Sequence, residues 1–232
     1  MSKIGIIGAG NIGGTLAKHL TRLGHAVEIA NSRGPDSLGE LARISGAKAV
    51  TVEQAVVGKD LIIISIPEHA VRDLPAGLFR DVPADVPVID TNNYYPRERD
   101  GRIEPIEAGR LESQWVADTI GHSVIKVFNN IGSARLDADG QPSGTPGRLA
   151  LPVSGDDPAQ KAFVIALLDE LGFDAIDNGP LSNSWRHQPG SPGYVNNKDI
   201  AGVQVQLDTA SPVRTAKFTG TAQSPGDWNA PR

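Results

Sequence analysis

The sequence predicts an α/β protein with a doubly wound, mainly parallel sheet and a short C-terminal extension. Short apolar runs alternate with helical patterns through the first 130 residues, and a glycine-rich turn separates the first run from the first helix. This periodicity fades near the C-terminus. With 232 residues the chain can form one large domain and a small appendage, and we expect these to be residues 1–180 and 181–232.

Apolar runs predict six strands in the first 130 residues, at 3–7, 26–30, 48–50, 61–66, 86–90 and 123–128. The run at 61–66 is nearly continuous in apolar residues, as expected of a strand covered on both faces. Leucine and isoleucine at helical spacing predict helices over 12–23 and 35–44. Gly24 stands where a C-terminal cap glycine belongs, and Thr51 with Gln54 has the capping-box pattern of a brief helix.

Beyond residue 130 the pattern predicts a strand at 149–153, a helix at 158–171 and a strand at 173–177, so that the sheet extends past six strands. The polar, Gly- and Pro-rich segment 137–148 is interpreted as a long loop and a candidate lid. Residues 211–232 are expected to be an irregular tail that either wraps a surface or is disordered.

Composition excludes several classes of function. The net charge is −5, which disfavours nucleic acid as the main partner because phosphate binding needs concentrated Lys and Arg. The absence of cysteine excludes disulfides, a thiolate nucleophile and cysteine-ligated metal sites, and the five histidines show no metal-ligand spacing. No apolar run reaches the ~18 residues of a membrane span, and no leader pattern precedes the first strand. We therefore expect a cytoplasmic protein without a metal or a membrane partner.

The hexapeptide G-A-G-N-I-G stands between the first strand and the first helix, the context in which this pattern binds a dinucleotide. Gly8 permits the tight turn, Gly10 lets the backbone approach a pyrophosphate, and Gly13 allows close packing of helix on strand. Amides at the start of the helix, near Asn11 and Ile12, would face the phosphates. A Rossmann-type dinucleotide site is predicted; the alternative is a glycine-rich turn with no ligand.

The end of the second strand discriminates between NAD and NADP. NAD-binding proteins place an acidic residue there for the adenosine ribose, but here Ala30 is followed by Asn31, Ser32 and Arg33. Glu28 lies inside the strand and is not expected to reach the ribose. Amide, hydroxyl and guanidinium donors suit a 2′-phosphate, so we expect NADP as the cofactor. The alternative is that Arg33 is a solvated loop arginine.

Longer stretches resemble one known family. GIIGAGNIGGTLA, NSR, IPEHAV, VIDTNNYYPRE, VIKVFNNI and the later segment 153–185 resemble the NADP oxidoreductases that use the 8-hydroxy-5-deazaflavin coenzyme, which are related to the reductase domains of membrane ferric reductases. The resemblance covers about residues 3–195. It implies an NADPH-dependent enzyme that transfers hydride between NADP(H) and a deazaflavin or flavin-like coenzyme. A homodimer is a further expectation from the resemblance.

The resemblance also implies where the cofactor lies. Residues 8–12 would hold the pyrophosphate and residues 31–33 the 2′-phosphate. Two further groups complete the implied site: near the middle of the cofactor Ser65, Ile66, Pro67 and His69, and toward the nicotinamide Asn92, Asn93, Asn129 and Asn130. All follow predicted strands, where a doubly wound sheet forms its ligand crevice.

Hydride transfer between stacked rings needs no obligatory acid–base side chain. The sequence shows no obvious His/Asp dyad, and the catalytic residues are left unassigned. His69 is a candidate for orienting the acceptor, the alternative being a backbone contact or a helix cap. His122 and Lys126 are interpreted as structural, with Lys126 paired to a carboxylate. Trp185 and Tyr194 either form a wall of the acceptor site or belong to the core or an interface.

Two other functions stay open. One is NADPH-dependent reduction of a small imine or carbonyl substrate, which would require a proton donor. The other is a non-catalytic module that senses NADP.

Overall fold

A computed structural model describes residues 1–227. Its strands are β1 (Lys3–Ile7), β2 (Ala26–Ala30), β3 (Lys48–Ala49), β4 (Leu61–Ile64), β5 (Val88–Asp90), β6 (Ile125–Lys126), β7 (Ala150–Val153) and β8 (Asp174–Asp177). Its α-helices are α1 (Asn11–Arg22), α2 (Gly39–Ser45), α3 (Glu104–Glu107), α4 (Glu112–Ile120), α5 (Ser133–Ala138), α6 (Pro158–Glu170) and α7 (Ile200–Asp208). Short 3₁₀ segments include Glu68–Asp73 and Leu181–His187, and Pro96–Asp100 is a π-helical turn.

Six strands form one parallel sheet in the order β3-β2-β1-β4-β5-β6, which confirms the predicted doubly wound Rossmann-type fold. Both faces of the sheet are covered. Ile4 and Ile6 of β1 belong to a core that includes Leu16 of α1, whereas Ile62 of β4 belongs to a second core that includes Val116 of α4. The strand order reverses between β1 and β4, and the ends of these strands therefore border the crevice of the fold.

The expectation that the sheet extends past six strands is wrong. β7 and β8 pair in parallel with each other as a separate two-stranded sheet. A single antiparallel bridge joins this sheet to β6, with Lys126 and Ser154 exchanging backbone hydrogen bonds of 2.8 and 3.1 Å. Ser154 directly follows β7, and within residues 1–227 no other strand pairing joins the two sheets.

Several predicted elements are shorter than expected. β4 ends at Ile64 instead of residue 66, because the N–H of Ile66 donates to the side chain of Asn92 and leaves the strand ladder. β6 stops at Lys126 instead of residue 128, where Phe128 takes a left-handed backbone conformation with φ 64°. The predicted helix 35–44 begins as a 3₁₀ turn and becomes α-helical only at Gly39.

Two local predictions concern helix ends. Thr51 and Gln54 exchange the two hydrogen bonds of a capping box, at 3.0 and 3.3 Å, but the residues that follow form turns and not the expected helix. Gly24 is confirmed as a cap glycine, with φ 89°, and the amides of Gly24 and His25 donate back to Thr21 and Leu20.

The C-terminal region is more ordered than the sequence suggests. Helix α7 was not predicted, although Asp199 caps it by accepting from the amide of Gly202 at 3.0 Å. Of the two alternatives for the tail, wrapping a surface or disorder, residues 211–227 show the first. Residues 228–232 lie outside the described residues. The division at residue 180 stays a prediction.

The segment 137–148, the candidate lid, does not border the large cleft described below. Arg148 anchors the segment 137–148 by bonding Asp169 and Asp174 through Nη1, at 2.6 and 2.9 Å. Within residues 1–227, no helix has both the length and the apolar character that crossing a bilayer demands.

We predict that Gly13→Ala lowers stability, because an added Cβ would lie 2.0 Å from the backbone oxygen of Gly8. Backbone cannot move aside cheaply, so we expect a loss of about 3 kcal/mol, seen as a melting temperature lower by roughly 10 °C. The neighbouring Gly14→Ala is the control, since its Cβ would meet only the end of Leu41 at 3.4 Å. Equal melting temperatures for the two variants would contradict this account.

Candidate functional site

A cleft of about 960 Å³ opens at the carboxyl ends of β1, β2 and β4. It brings together nine of the thirteen predicted site residues, namely Gly8, Gly10, Asn31, Ser32, Arg33, Ser65, Ile66, Pro67 and His69. Thr51, Val52, Glu53, Asp73 and Leu74 also line it and were not predicted. One cleft therefore joins the glycine loop, the end of the second strand and the turn after the fourth.

The glycine loop has the geometry of an anion cradle. Gly8 has φ 116°, and its amide donates to Ala30 at 2.8 Å, so the turn is tight and fixed to β2. A Cβ on Gly10 would meet no atom within 4 Å, which leaves the backbone open to the cleft. α1 begins next to it without a side-chain cap and without an acidic residue in its first turn. Its free amides and positive dipole end favour a negatively charged ligand.

The loop after β2 presents a cation to the same cleft. The side chain of Asn31 shapes the loop, since Oδ1 accepts from the amide of Arg33 at 3.0 Å and Nδ2 donates to Ser37 Oγ at 2.9 Å. Ser32 and Arg33 are exposed. The Arg33 guanidinium forms no ion pair within residues 1–227 and lines the cleft. Ser32 and Arg33 are thus free to bind an anion, whereas Asn31 holds the loop in place.

Four predicted site residues do not line the cleft. Asn11 and Ile12 lie in the first turn of α1, directly after the glycine loop. Asn92 is buried behind it and fixes the turn after β4 by accepting from the amide of Ile66 at 3.0 Å. Asn129 is buried in a separate network with His187. The role of these four in binding a ligand stays a prediction.

His69 has a partner that the sequence analysis missed. Its Nδ1 lies 2.8 Å from Oδ1 of Asp100, whose side chain is fully buried. This pair is a His/Asp dyad that was not obvious in the sequence, and it shows that the imidazole bonds a carboxylate. The role of His69 in orienting an acceptor stays a prediction. The signal was invisible because 31 residues separate the pair and Asp100 ends an irregular π-helical turn.

Asp100 is bound from several sides. Oδ2 accepts from the amide of Tyr95 at 2.7 Å and from Arg99 at 3.0 Å, while Oδ1 accepts from Arg99 at 3.1 Å and from the backbone amide of His69 at 3.3 Å. A carboxylate with this many donors has one orientation. The imidazole of His69 is consequently held with its Nδ1 turned away from the cleft.

A buried polar layer lies beside this pair. Lys126 is buried and donates to Asp90 at 3.0 Å and to the carbonyl of Asn92 at 2.6 Å, which confirms the predicted lysine–carboxylate pair. Glu68 is also fully buried, and neither of its oxygens has a hydrogen-bond partner among the described residues. Burial, reinforced by the charge of Asp90, raises the pKa of Glu68 well above its usual range. Burial therefore favours the protonated form of Glu68.

Ser154, His187 and Asn129 form a second buried network. His187 Nδ1 lies 2.9 Å from Asn129 Oδ1, and His187 Nε2 lies 3.0 Å from Ser154 Oγ. Since Asn129 Oδ1 can only accept, Nδ1 bears the proton and Ser154 donates to Nε2. The arrangement resembles a hydrolase triad, but all three side chains are buried and none lines the cleft. It connects the end of β6 to the C-terminal region.

The tail from residue 211 docks on the segment that follows β5. Arg214 donates to the buried Glu112 at 2.8 Å, and the amide of Gly220 donates to Glu107 at 2.8 Å. Tyr194 packs edge-on against Tyr95 at 6.5 Å, while Arg186 stacks on the ring of Trp185 at 4.5 Å. Trp185 and Tyr194, the two aromatic residues considered as a wall of the acceptor site, do not line the large cleft.

Comparisons with known proteins agree with this architecture. Residues 3–94 match the family described as "NADP oxidoreductase coenzyme F420-dependent". The curated protein YjhV of Escherichia coli (strain K12) is 41% identical over 59 residues, which are 25% of this chain and 43% of that protein. The chain thus matches less than half the length of that relative.

Solved structures match over most of the chain. A hypothetical protein from Sinorhizobium meliloti is 31% identical, with 85% of this chain and 95% of the other covered at a TM-score of 0.72. A candidate F420-dependent NADP reductase from Arthrobacter sp. FB24 is 22% identical, with 79% and 87% covered and a TM-score of 0.66. An imine reductase from Pseudomonas sp. is 17% identical, with 77% and 56% covered and a TM-score of 0.53. The last two show a shared fold.

We predict that acid destabilises the protein partly through His187. Burial, together with the charge of Lys126, lowers the pKa of His187 to about 3. The unfolded imidazole takes up a proton below about pH 6.5, whereas the folded one stays neutral until about 3. The stability that the neutral, buried His187 contributes is complete above the unfolded pKa. As the pH is lowered below that value, this stability decreases by up to about 1.4 kcal/mol per pH unit.

Urea unfolding between about pH 4 and pH 8 would measure this, because His187→Gln cannot titrate and should flatten the slope. His122→Gln, which changes a more exposed histidine, is the control and should keep the wild-type slope. An unchanged slope in His187→Gln would contradict the assignment.

Proposed function

The chain belongs to the family described as "NADP oxidoreductase coenzyme F420-dependent", and we propose that it transfers hydride between NADP(H) and a deazaflavin or flavin-like coenzyme. The observation on which this depends is the cleft that joins an uncapped helix start to a free arginine after β2. Bound NADPH would supply a hydride from C4 of its nicotinamide. The protein would bind both rings, orient them and exclude water between them.

The residues present fit a dinucleotide diphosphate. Gly10 leaves the backbone accessible, and the first amides of α1 have no side-chain acceptor. The cleft then continues past Ser65 and Pro67 toward His69, in the direction the nicotinamide would take if the adenosine lies at Arg33. The binding roles of these residues are part of the proposal.

The same cleft favours NADP over NAD. The nearest strand carboxylate, Glu28, is held by Lys59 at 2.7 Å and Lys48 at 3.0 Å, and the Lys59 contact lowers the pKa of Glu28. It is not available to a ribose hydroxyl. Ser32 and Arg33 remain to bind a 2′-phosphate, for which a guanidinium has the matching geometry.

A second candidate function is reduction of a small imine or carbonyl substrate by NADPH. The observation in its favour is the His69–Asp100 pair at the cleft, because such substrates need a proton on nitrogen or oxygen. The fold shared with imine reductases is compatible with both functions.

Expectations about the cellular setting accompany the proposal. We propose a cytoplasmic protein, a homodimer, and no nucleic acid or membrane partner. These stay predictions.

We predict that Arg33→Ala weakens NADPH binding by roughly 1.5–3 kcal/mol, about ten- to a hundred-fold, because the 2′-phosphate loses its charged partner. NADH has no such phosphate, and its affinity should stay the same. Fluorescence titration of both cofactors measures the difference, with Arg22→Ala as the control because Arg22 lies at the opposite end of α1. Equal losses for NADPH and NADH would contradict the 2′-phosphate assignment.

We also predict that the purified protein oxidises NADPH when the deazaflavin coenzyme is added, with loss of the absorbance of both compounds. FMN, a ferric chelate and 2-methyl-1-pyrroline complete the panel, and each tests another acceptor class. Tight NADPH binding with no oxidation by any of them would instead indicate a non-catalytic sensor of NADP.

A further inference from the structure

We infer that His69 is the proton donor of the reaction and that Asp100 positions it. The proposed deazaflavin acceptor and the imine of the second candidate function both contain a C=N group, whose nitrogen would gain the proton. This inference rests on the proposed function and deepens it, since it assigns an acid to a reaction for which the sequence required none. The C=N group is either direct, as in an imine, or conjugated, as in the N1=C10a–C4a=C5 system of a deazaflavin.

The position of His69 is the first argument. It lines the large cleft in the 3₁₀ segment Glu68–Asp73, which follows β4, whereas Arg33 follows β2 on the other side of β1. About 34% of its side chain is exposed, whereas the Asp100 side chain is fully buried. With Nδ1 bound to Asp100, Nε2 is the atom left for the cleft, and it bonds no residue in the described part of the chain.

The second argument is that His69 cannot turn away. Asp100 holds Nδ1 at 2.8 Å and is itself fixed by the amide of Tyr95 and by Arg99. The backbone carbonyl of His69 accepts from Arg72 at 3.1 Å. A carboxylate on Nδ1 fixes the orientation of an imidazole, as it does in other acid–base pairs.

The other ionisable groups of the cleft do not fill this role. Arg33 does not release its proton at any ordinary pH. Glu53 follows β3, and the hydrogen bonds to its own backbone amide and to Thr51 lower its pKa. Asp73 is exposed, and within residues 1–227 no hydrogen bond or ion pair holds its carboxyl group in one orientation. Imidazole is the side chain that both gives and regains a proton near neutrality.

The step balances as follows. A hydride, with its electron pair, bonds to the acceptor carbon, which is thereby reduced, and the nicotinamide is oxidised. The C=N system shifts one electron pair onto nitrogen. That pair forms a new N–H bond with the proton of His69 Nε2, and the N–H bond of the imidazolium breaks. His69, now neutral with its proton on Nδ1 toward Asp100, regains a proton from solvent.

The test compares wild type, His69→Gln and the control His122→Gln with two probes, the deazaflavin coenzyme and 2-methyl-1-pyrroline. We expect His69→Gln to lower kcat about 100-fold or more with the probe that wild type reduces, as removal of a general acid does. NADPH affinity is measured in parallel by fluorescence titration, and kcat is compared at saturating NADPH, so that any loss of cofactor binding is separated from loss of proton transfer. His69→Ala should regain activity when imidazole is added.

A measurement without turnover tests the positioning by Asp100. In the cofactor-free protein, the Nδ1 proton of His69 should give a low-field ¹H NMR signal that His69→Gln abolishes and His122→Gln retains. Asp100→Asn should also abolish it. If Asp100→Asn fails to fold, His69→Gln alone assigns the signal.

The outcomes separate the inference from the proposed function. Unchanged kcat in His69→Gln overturns His69 as the donor, and absence of the low-field signal in wild type overturns its positioning by Asp100. NADPH binding without reduction of either probe overturns the C=N acceptor. Failure of wild type to bind NADPH at all overturns the proposed function instead.

Discussion

The close approach of three backbone segments at the end of β1 determines where everything else in the cleft lies. A Cβ on Gly13 would lie 2.0 Å from the oxygen of Gly8, and a Cβ on Gly8 would lie 2.0 Å from the oxygen of Ser65. α1, β1 and the end of β4 can therefore meet only through glycine. This contact aims the free amides of α1 at the crevice and brings the turn that bears His69 to its other side. The site is thus a consequence of backbone packing before any side chain contributes.

Sequence patterns identified the features that are local in the chain. The glycine loop, the residues that follow β2 and the apolar strands are each defined by a few consecutive residues. The structure contains the predicted loop and the predicted strands. The His69–Asp100 pair could not be found this way, because it joins two irregular turns through a contact between distant residues. The strand at β7 was identified correctly, but its periodicity contains no information about which neighbour it pairs with or in which direction.

Buried polar groups join β6 to β5 and to the 3₁₀ segment Leu181–His187. Lys126 and Asp90 form a buried pair between β5 and β6, and Asn129, just beyond β6, bonds His187 of the later chain. Breaking such a pair by removing one partner leaves an uncompensated buried charge. This layer thus makes the end of β6 intolerant of change, even though its residues do not border the cleft.

The docking of the tail has an evolutionary consequence. Glu112 is 2% exposed and faces Arg214, and Glu107 is bonded both by the phenol of Tyr94 and by the amide of Gly220. A homologue that loses the tail would uncover these carboxylates and remove the donors that the tail supplies, Arg214 and the amide of Gly220. We therefore expect tail length and the residues at positions 107 and 112 to covary among relatives, so that shortened versions replace the two glutamates.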